Sequence, residues 1–307
     1  MAVRVERRET PDGDFLEIAR LVGTAGPRAP RLLLLHGLEG GMHSHYARAM
    51  FREASQRGWA ADLLLFRSCG TEPNRLPRSY HSGETTDPLW IIEQLVHEFP
   101  HAPLGLMGVS LGGNVLCKLL GEQSTRLPTQ VVGAVAMSVP FDLARASRHL
   151  GRGFGAIYEK FFLKSLIPKA LSKIDRHPEL APLRHVAAAR TLWAFDDAFT
   201  APLHGYRDAA DYYARASALP FLANIRLPTL LLNAEDDPFL PADVLTEVRE
   251  AVRHNEHVEI EFPARGGHVG FTAGRRPWNP WYYGEWRAAE FLAAHMERAS
   301  RDTGAGA

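Results

Sequence analysis

Gly108-Val109-Ser110-Leu111-Gly112-Gly113-Asn114 is the stretch from which the rest of the chain is best read. An apolar run, Leu104 to Met107, leads into it, and a helix-like segment, Leu111 to Gly121, leads out. A Gly-x-Ser-x-Gly pattern alone turns up by chance in glycine-rich chains. Its position between a strand and a helix gives it weight, because that junction holds the serine on a strained corner with its hydroxyl exposed at the carboxyl edge of the sheet. Gly108 and Gly112 fit this reading, since a Cβ at either place would collide with the crowded turn. The competing reading is a glycine-rich connection that carries an ordinary serine.

Working outward, the flanking segments alternate strand and helix. Val3 to Arg8 and Phe15 to Leu21 alternate apolar and polar residues around the turn Pro11-Asp12-Gly13-Asp14, which predicts an antiparallel hairpin at a sheet edge. Arg31-Leu32-Leu33-Leu34-Leu35 is a short unbroken apolar run, as in a strand buried on both faces. A helix from about Ser44 to Arg57, a strand from Trp59 to Phe66, a helix from Glu84 to Phe99 capped by Thr85 or Thr86, and a strand from Gln130 to Ser138 complete the pattern. This rhythm predicts an α/β fold with a mostly parallel central sheet and helices on both faces. From Pro140 to Pro220 the segments are helix-like with no convincing strand, so residues 140–220 are expected to form a helical cap insertion. Residues 1–139 and 221–300 would form the core, with a helix from Trp281 to Arg298, and 301–307 a disordered tail.

Composition narrows the function classes. The 307 residues are 46% hydrophobic, enough for a sizeable core. Lys plus Arg and Asp plus Glu stand at 35 each, so no global field favours nucleic acid or an anionic surface, and a small-molecule partner in a pocket is expected instead. Two cysteines, Cys69 and Cys117, form no disulfide framework and suit a reducing compartment. The amino terminus has no signal-peptide pattern, and no apolar run reaches the roughly 20 residues of a membrane span, so a cytoplasmic location is expected.

If Ser110 is a nucleophile, it needs a base within hydrogen-bond reach, and the base needs an orienting carboxylate. In open α/β sheets such groups gather just past the carboxyl ends of strands. After the apolar run Thr229 to Asn233 comes Ala234-Glu235-Asp236-Asp237-Pro238-Phe239-Leu240-Pro241, and after Val258 to Phe262 comes Arg265-Gly266-Gly267-His268-Val269-Gly270. The order Ser, Asp, His is the one this serine-hydrolase architecture requires. His268 stands out among 14 histidines because neighbouring glycines let the backbone set an imidazole over the sheet edge. Asp237 is preferred, with Asp236 kept as the alternative, because adjacent side chains point opposite ways. Glu235 and the pair Asp196-Asp197 read as capping or solvated. Oxyanion donors would be the backbone N–H groups of Leu111, next to the nucleophile, and Leu38, after the first buried strand, with His36 structural. His43-Ser44-His45 lacks the partners of a metal site, and Gly151-Arg152-Gly153-Phe154-Gly155 follows no strand and so makes a poor dinucleotide loop.

Taken together, the chain resembles the α/β-hydrolases, and more narrowly the YheT-type and ABHD1/ABHD3-like esterases and lipases. The resemblance rests on His36-Gly37-Leu38-Glu39-Gly40, Glu72-Pro73-Asn74-Arg75, Tyr80-His81-Ser82-Gly83-Glu84-Thr85, Gly108 to Asn114, Phe195-Asp196-Asp197, Tyr212-Tyr213, Asn233 to Phe239 and Gly266 to Phe271. It implies a Ser110-Asp237-His268 triad and hydrolysis of carboxylic esters without a cofactor or metal. It also favours Asp237, because the acid in similar hydrolases is commonly followed four places later by proline, here Pro241. Gly41 and Gly70-Thr71 depart from the family pattern. Short- to medium-chain acyl esters are the expected substrates, with lipid esters within range, and Phe154, Tyr158, Phe161, Phe162, Trp193 and Phe199 are candidates for an acyl pocket or for plain core packing. The rivals are acyl transfer through the same triad and a non-catalytic scaffold that binds a ligand or partner.

Overall fold

The computed structural model describes residues 1–23, 25–153, 155–273 and 281–304, the last five by their backbone alone. In chain order the elements are β1 (Val3–Glu9), β2 (Phe15–Leu21), β3 (Arg31–Leu35), α1 (His45–Gln56), β4 (Ala60–Leu65), α2 (Thr86–Glu98), β5 (Leu104–Val109), α3 (Leu111–Glu122) and β6 (Val131–Met137). There follow α4 (Leu143–Leu150), α5 (Gly155–Arg176), α6 (Leu192–Phe195), α7 (Ala201–Leu203) and α8 (Ala209–Ala216), interspersed with tighter and wider helical turns. The last are β7 (Thr229–Leu232), α9 (Ala242–Ala251), β8 (Val258–Glu261), β9 (Thr272–Ala273), β10 (Trp281–Tyr282) and α10 (Tyr283–Gly304).

Eight strands make one sheet in the order β1-β2-β4-β3-β5-β6-β7-β8. The hairpin β1–β2 and the β2–β4 pair are antiparallel and every other neighbour is parallel, which leaves β5 central. The unbroken apolar runs follow from this placement. Leu33 and Leu35 point into the layer covered by α2 and α3, while Leu32 and Leu34 point into the layer covered by α1 and α10. Because successive side chains on a strand alternate faces, only a strand buried on both sides needs an apolar residue at every position.

Several boundaries differ from the sequence reading. Neither Thr85 nor Thr86 caps α2 through its side chain; the Glu84 carboxylate accepts the N–H groups of Thr86 at 2.7 Å and Asp87 at 3.2 Å. Negative charge at a helix N-terminus is favourable there, which a threonine cannot supply. The last helix runs past Arg298 to Gly304 and so takes in residues 301–304 of the expected tail; 305–307 lie outside the described residues. The family departure at Gly70-Thr71 has a local cause. Glu17 on β2 accepts the Thr71 N–H and hydroxyl, each at 2.5 Å, and a Cβ at position 70 would fall within 1.8 Å of that carboxylate. Among the described residues no helix is long and apolar enough to cross a membrane.

Candidate active site

The junction of β5 and α3 puts Ser110 at φ 54° and ψ −120°, a conformation that costs a non-glycine residue on the order of 1–3 kcal/mol. Two backbone hydrogen bonds pin it: the Ser110 N–H donates to Met137 O at 2.9 Å, and its carbonyl accepts the Asn114 N–H at 3.0 Å. The flanking glycines are there for space. A Cβ on Gly108 would come within 2.3 Å of Gly112 O, and one on Gly112 within 2.4 Å of Leu35 O. Close approach of α3 to β3 and β5 thus sets the corner. Asn114 anchors the same helix from below: fully buried, it donates to Ser82 O and Ala216 O, both at 2.8 Å, and accepts the Ala218 N–H at 2.9 Å.

His268 reaches Ser110 from the loop after β8. Its Nε2 lies 3.0 Å from Ser110 Oγ, and its Nδ1 lies 2.9 and 3.1 Å from the two oxygens of Asp237. A carboxylate can only accept, so Nδ1 carries the hydrogen and Nε2 is left to accept the serine proton. Asp237 is buried at the end of β7 and also accepts the Phe239 N–H at 2.8 Å. The Phe239 ring stacks on the imidazole with centroids 4.0 Å apart, fixing the plane of His268 from its second face.

The alternative acid, Asp236, has a different task. Its Oδ1 accepts the N–H groups of Gly266 and Gly267 at 2.8 and 2.7 Å and so ties down the loop that carries His268. Two further residues hold that loop: Ser138 Oγ accepts the Val269 N–H at 3.1 Å, and His45 donates to Val269 O at 2.7 Å. His45 is exposed at the start of α1. Its bond to a residue 224 positions away leaves no local sequence signal.

Facing Ser110 is a tight turn in which the Gly40 N–H donates to Gly37 O at 3.0 Å, with Leu38 and Glu39 at its centre. Glu39 sits at φ 55°. The Tyr80 hydroxyl holds it there, accepting the Glu39 N–H at 3.0 Å and donating to its Oε1 at 2.8 Å, while Lys169 of α5 reaches the same carboxylate at 2.9 Å. The turn lies against the serine: a Cβ on Gly37 would be 3.2 Å from Ser110 Cβ. His36 is structural as expected. It is fully buried, Nε2 accepts the Phe66 N–H at 3.2 Å, and burial pulls its pKa down to about 4.

Ser110, His268, Leu38 and Leu111 all line one cavity of about 160 Å³. Its walls are apolar, with Leu143 and Leu150 of α4, Phe162 and Leu166 of α5, Phe195 and Phe199. Of the aromatic candidates, Phe162 and Phe199 line it; Trp193 packs against Tyr213; Phe154 lies outside the described residues. Tyr158 and Phe161 face outward instead, 40% and 68% exposed. Polar groups interrupt the far wall. The rings of His81 and His204 pack at a tilt, 4.3 Å apart, and burial lowers them to about 4 and about 3, so both are neutral. Asp196, expected to be capping or solvated, is half-buried in the cavity wall, where desolvation lifts its pKa to about 6 against hydrogen bonds from Thr200 and Tyr213, both 2.6 Å. Its neighbour Asp197 does cap, accepting the Ala209 N–H at the start of α8.

A mostly parallel sheet with a half-buried serine at its central strand edge, approached by a histidine under an apolar roof, defines a hydrolase. The comparisons agree. The family model described as alpha/beta hydrolase fold matches residues 30–272, and the chain belongs to that family. It is 40% identical to YheT of Escherichia coli (strain K12) over 298 residues, covering 96% of this chain and 86% of that protein. It is 31% identical to a monoacylglycerol lipase of Saccharomyces cerevisiae, covering 82% of this chain and 57% of the yeast protein. Phospholipase ABHD3 of Homo sapiens is 29% identical, covering 81% of this chain and 60% of the human one. Among solved structures, the esterase Pf2001 of Pyrococcus furiosus superposes with a TM-score of 0.63 at 19% identity, covering 96% and 92% of the two chains.

Proposed function

We propose that the protein is a serine hydrolase of carboxylic esters. The observation that carries this reading is the hydrogen-bonded chain Ser110–His268–Asp237, at 3.0 and 2.9 Å, at the floor of an apolar cavity. In this account Ser110 Oγ attacks the ester carbonyl as His268 Nε2 takes its proton. The tetrahedral oxyanion accepts from the N–H groups of Leu38 and Leu111. His268 then returns the proton to the leaving alcohol, which departs and leaves an acyl-enzyme. Water, deprotonated by the same imidazole, releases the acid, and Asp237 holds the ring and balances the imidazolium in both halves.

Residues 140–220 act as a cap whose inner face forms the acyl pocket, and its apolar walls favour short- to medium-chain acyl groups, with lipid esters in range. The lipase and phospholipase names of two relatives support the lipid end of that range. Both cysteines are unpaired, which supports action in a reducing compartment such as the cytoplasm. A panel of acyl esters of graded chain length, assayed with the wild type and Ser110→Ala, tests the proposal. Turnover on at least one ester that falls on the order of a thousandfold or more in the variant supports it; turnover that survives the substitution contradicts it.

A further inference from the structure

The outward face of α5 is built unlike that of an ordinary surface helix. Its inner face, Glu159, Leu163, Leu166 and Ala170, is buried. On the opposite face a globular protein normally presents polar side chains. Here that face carries Ile157, 62% exposed, and Phe161, 68% exposed, one turn apart, with Tyr158 beside them. Single exposed apolar residues are unremarkable; three within five positions of one helix are not.

What flanks them is basic. Lys160 and Lys164 are exposed on the same side. Glu159, the one acid between Gly155 and Ala170, is turned inward, where it accepts the Leu192 N–H at 2.8 Å. An exposed apolar stripe edged by lysines fits a surface that is apolar beneath and negative at its boundary. The stripe also adjoins the cavity. The Tyr158 ring contacts that of Phe239 at 5.0 Å, and Phe239 stacks on His268. A molecule leaving such a surface at Tyr158 is therefore one ring away from the stacked Phe239 and His268.

We infer that Ile157, Phe161, Lys160 and Lys164 on the outer face of α5 form a docking surface for an anionic lipid interface, seated so that the cavity mouth opens toward it. Docking needs no turnover, so it can fail or hold independently of the esterase reading. The test is flotation of the full chain, with Ser110→Ala in parallel, on vesicles of phosphatidylcholine alone and of phosphatidylcholine mixed equally with phosphatidylglycerol. Both proteins should float with the mixed vesicles and less with the neutral ones, and added salt should release them. Ile157→Ser with Phe161→Ser should weaken binding about tenfold or more, and each of Lys160→Gln and Lys164→Gln about fivefold. Turnover of a water-soluble ester should be unchanged in the Ile157, Phe161, Lys160 and Lys164 variants. Protein that stays in solution with both vesicle types, or Ile157→Ser/Phe161→Ser protein that floats as well as wild type, overturns the inference. So does a wild-type dimer in sedimentation that the same double substitution splits, because the stripe then seats a second copy of the chain.

Discussion

Asp236 and Asp237, adjacent in the chain, act on two sides of the same loop: Asp236 holds its backbone through Gly266 and Gly267, and Asp237 holds the imidazole of His268 that the loop presents. One positions the base and the other orients it. Asp237→Asn should leave the fold intact and lower kcat about ten-thousandfold, because the amide favours the wrong tautomer of His268. Asp236→Ala should cost only about ten- to a hundredfold, by loosening the loop. Steady-state kinetics on one ester for both variants checks the ranking; equal losses would contradict it.

Tyr80 should matter to the chemistry without touching substrate carbon. Its hydroxyl fixes Glu39 and with it the turn that offers the Leu38 N–H. Tyr80→Phe is expected to lower kcat by about tenfold with KM little changed, less than the hundredfold or more that follows outright loss of an oxyanion donor. Binding of a boronic acid, which mimics the tetrahedral state, should weaken in parallel with kcat. If substrate binding weakens instead, the tyrosine serves the pocket and not the turn.

Stability at low pH should depend on Glu84. Burial alone would raise its pKa, but the hydrogen bond with Thr86 and the charge of Arg78 hold it at about 2, against 4.5 for the free side chain. The folded value is depressed, so the stabilisation is complete above 4.5. It drains as the pH falls from 4.5 to 2, where the unfolded chain takes up the proton first. Glu84→Gln should therefore lose up to about 3 kcal/mol at pH 7 and progressively less below 4.5. Urea denaturation of both proteins across that range measures the difference.

Gly112→Ala should be among the most damaging single changes, since the new Cβ would meet backbone oxygens of Leu35 and His36 at 2.4 and 2.6 Å. A loss of more than about 4 kcal/mol, or failure to fold, is expected in thermal unfolding. A mild effect would mean that α3 can move off β3.

Much of the sheet was legible because its signals are local. Apolar runs such as Leu32 to Leu35 and the glycines around Ser110 report their own burial and crowding. Residues past the strand ends were legible too, and the structure brings Ser110, Asp237 and His268 together. Local pattern failed where a side chain takes its meaning from a distant partner. His45 is explained by Val269, Asp196 by Tyr213, and Glu84 as a cap by an N-terminus that a threonine also suits. Asp236 against Asp237 could be narrowed by alternation but not assigned, because the bonds that separate them come from 30 residues downstream. Phe161 reads as core on hydrophobicity alone; only the packing of α5 turns it outward.

The central claim is that Ser110 is the nucleophile. Incubation with a fluorophosphonate, followed by intact mass and peptide mapping, tests it most directly. The account predicts a single adduct on Ser110 in the wild type, formed much more slowly in His268→Ala and absent in Ser110→Ala. Folded wild-type protein that takes up no label, or label that persists in Ser110→Ala, would contradict it.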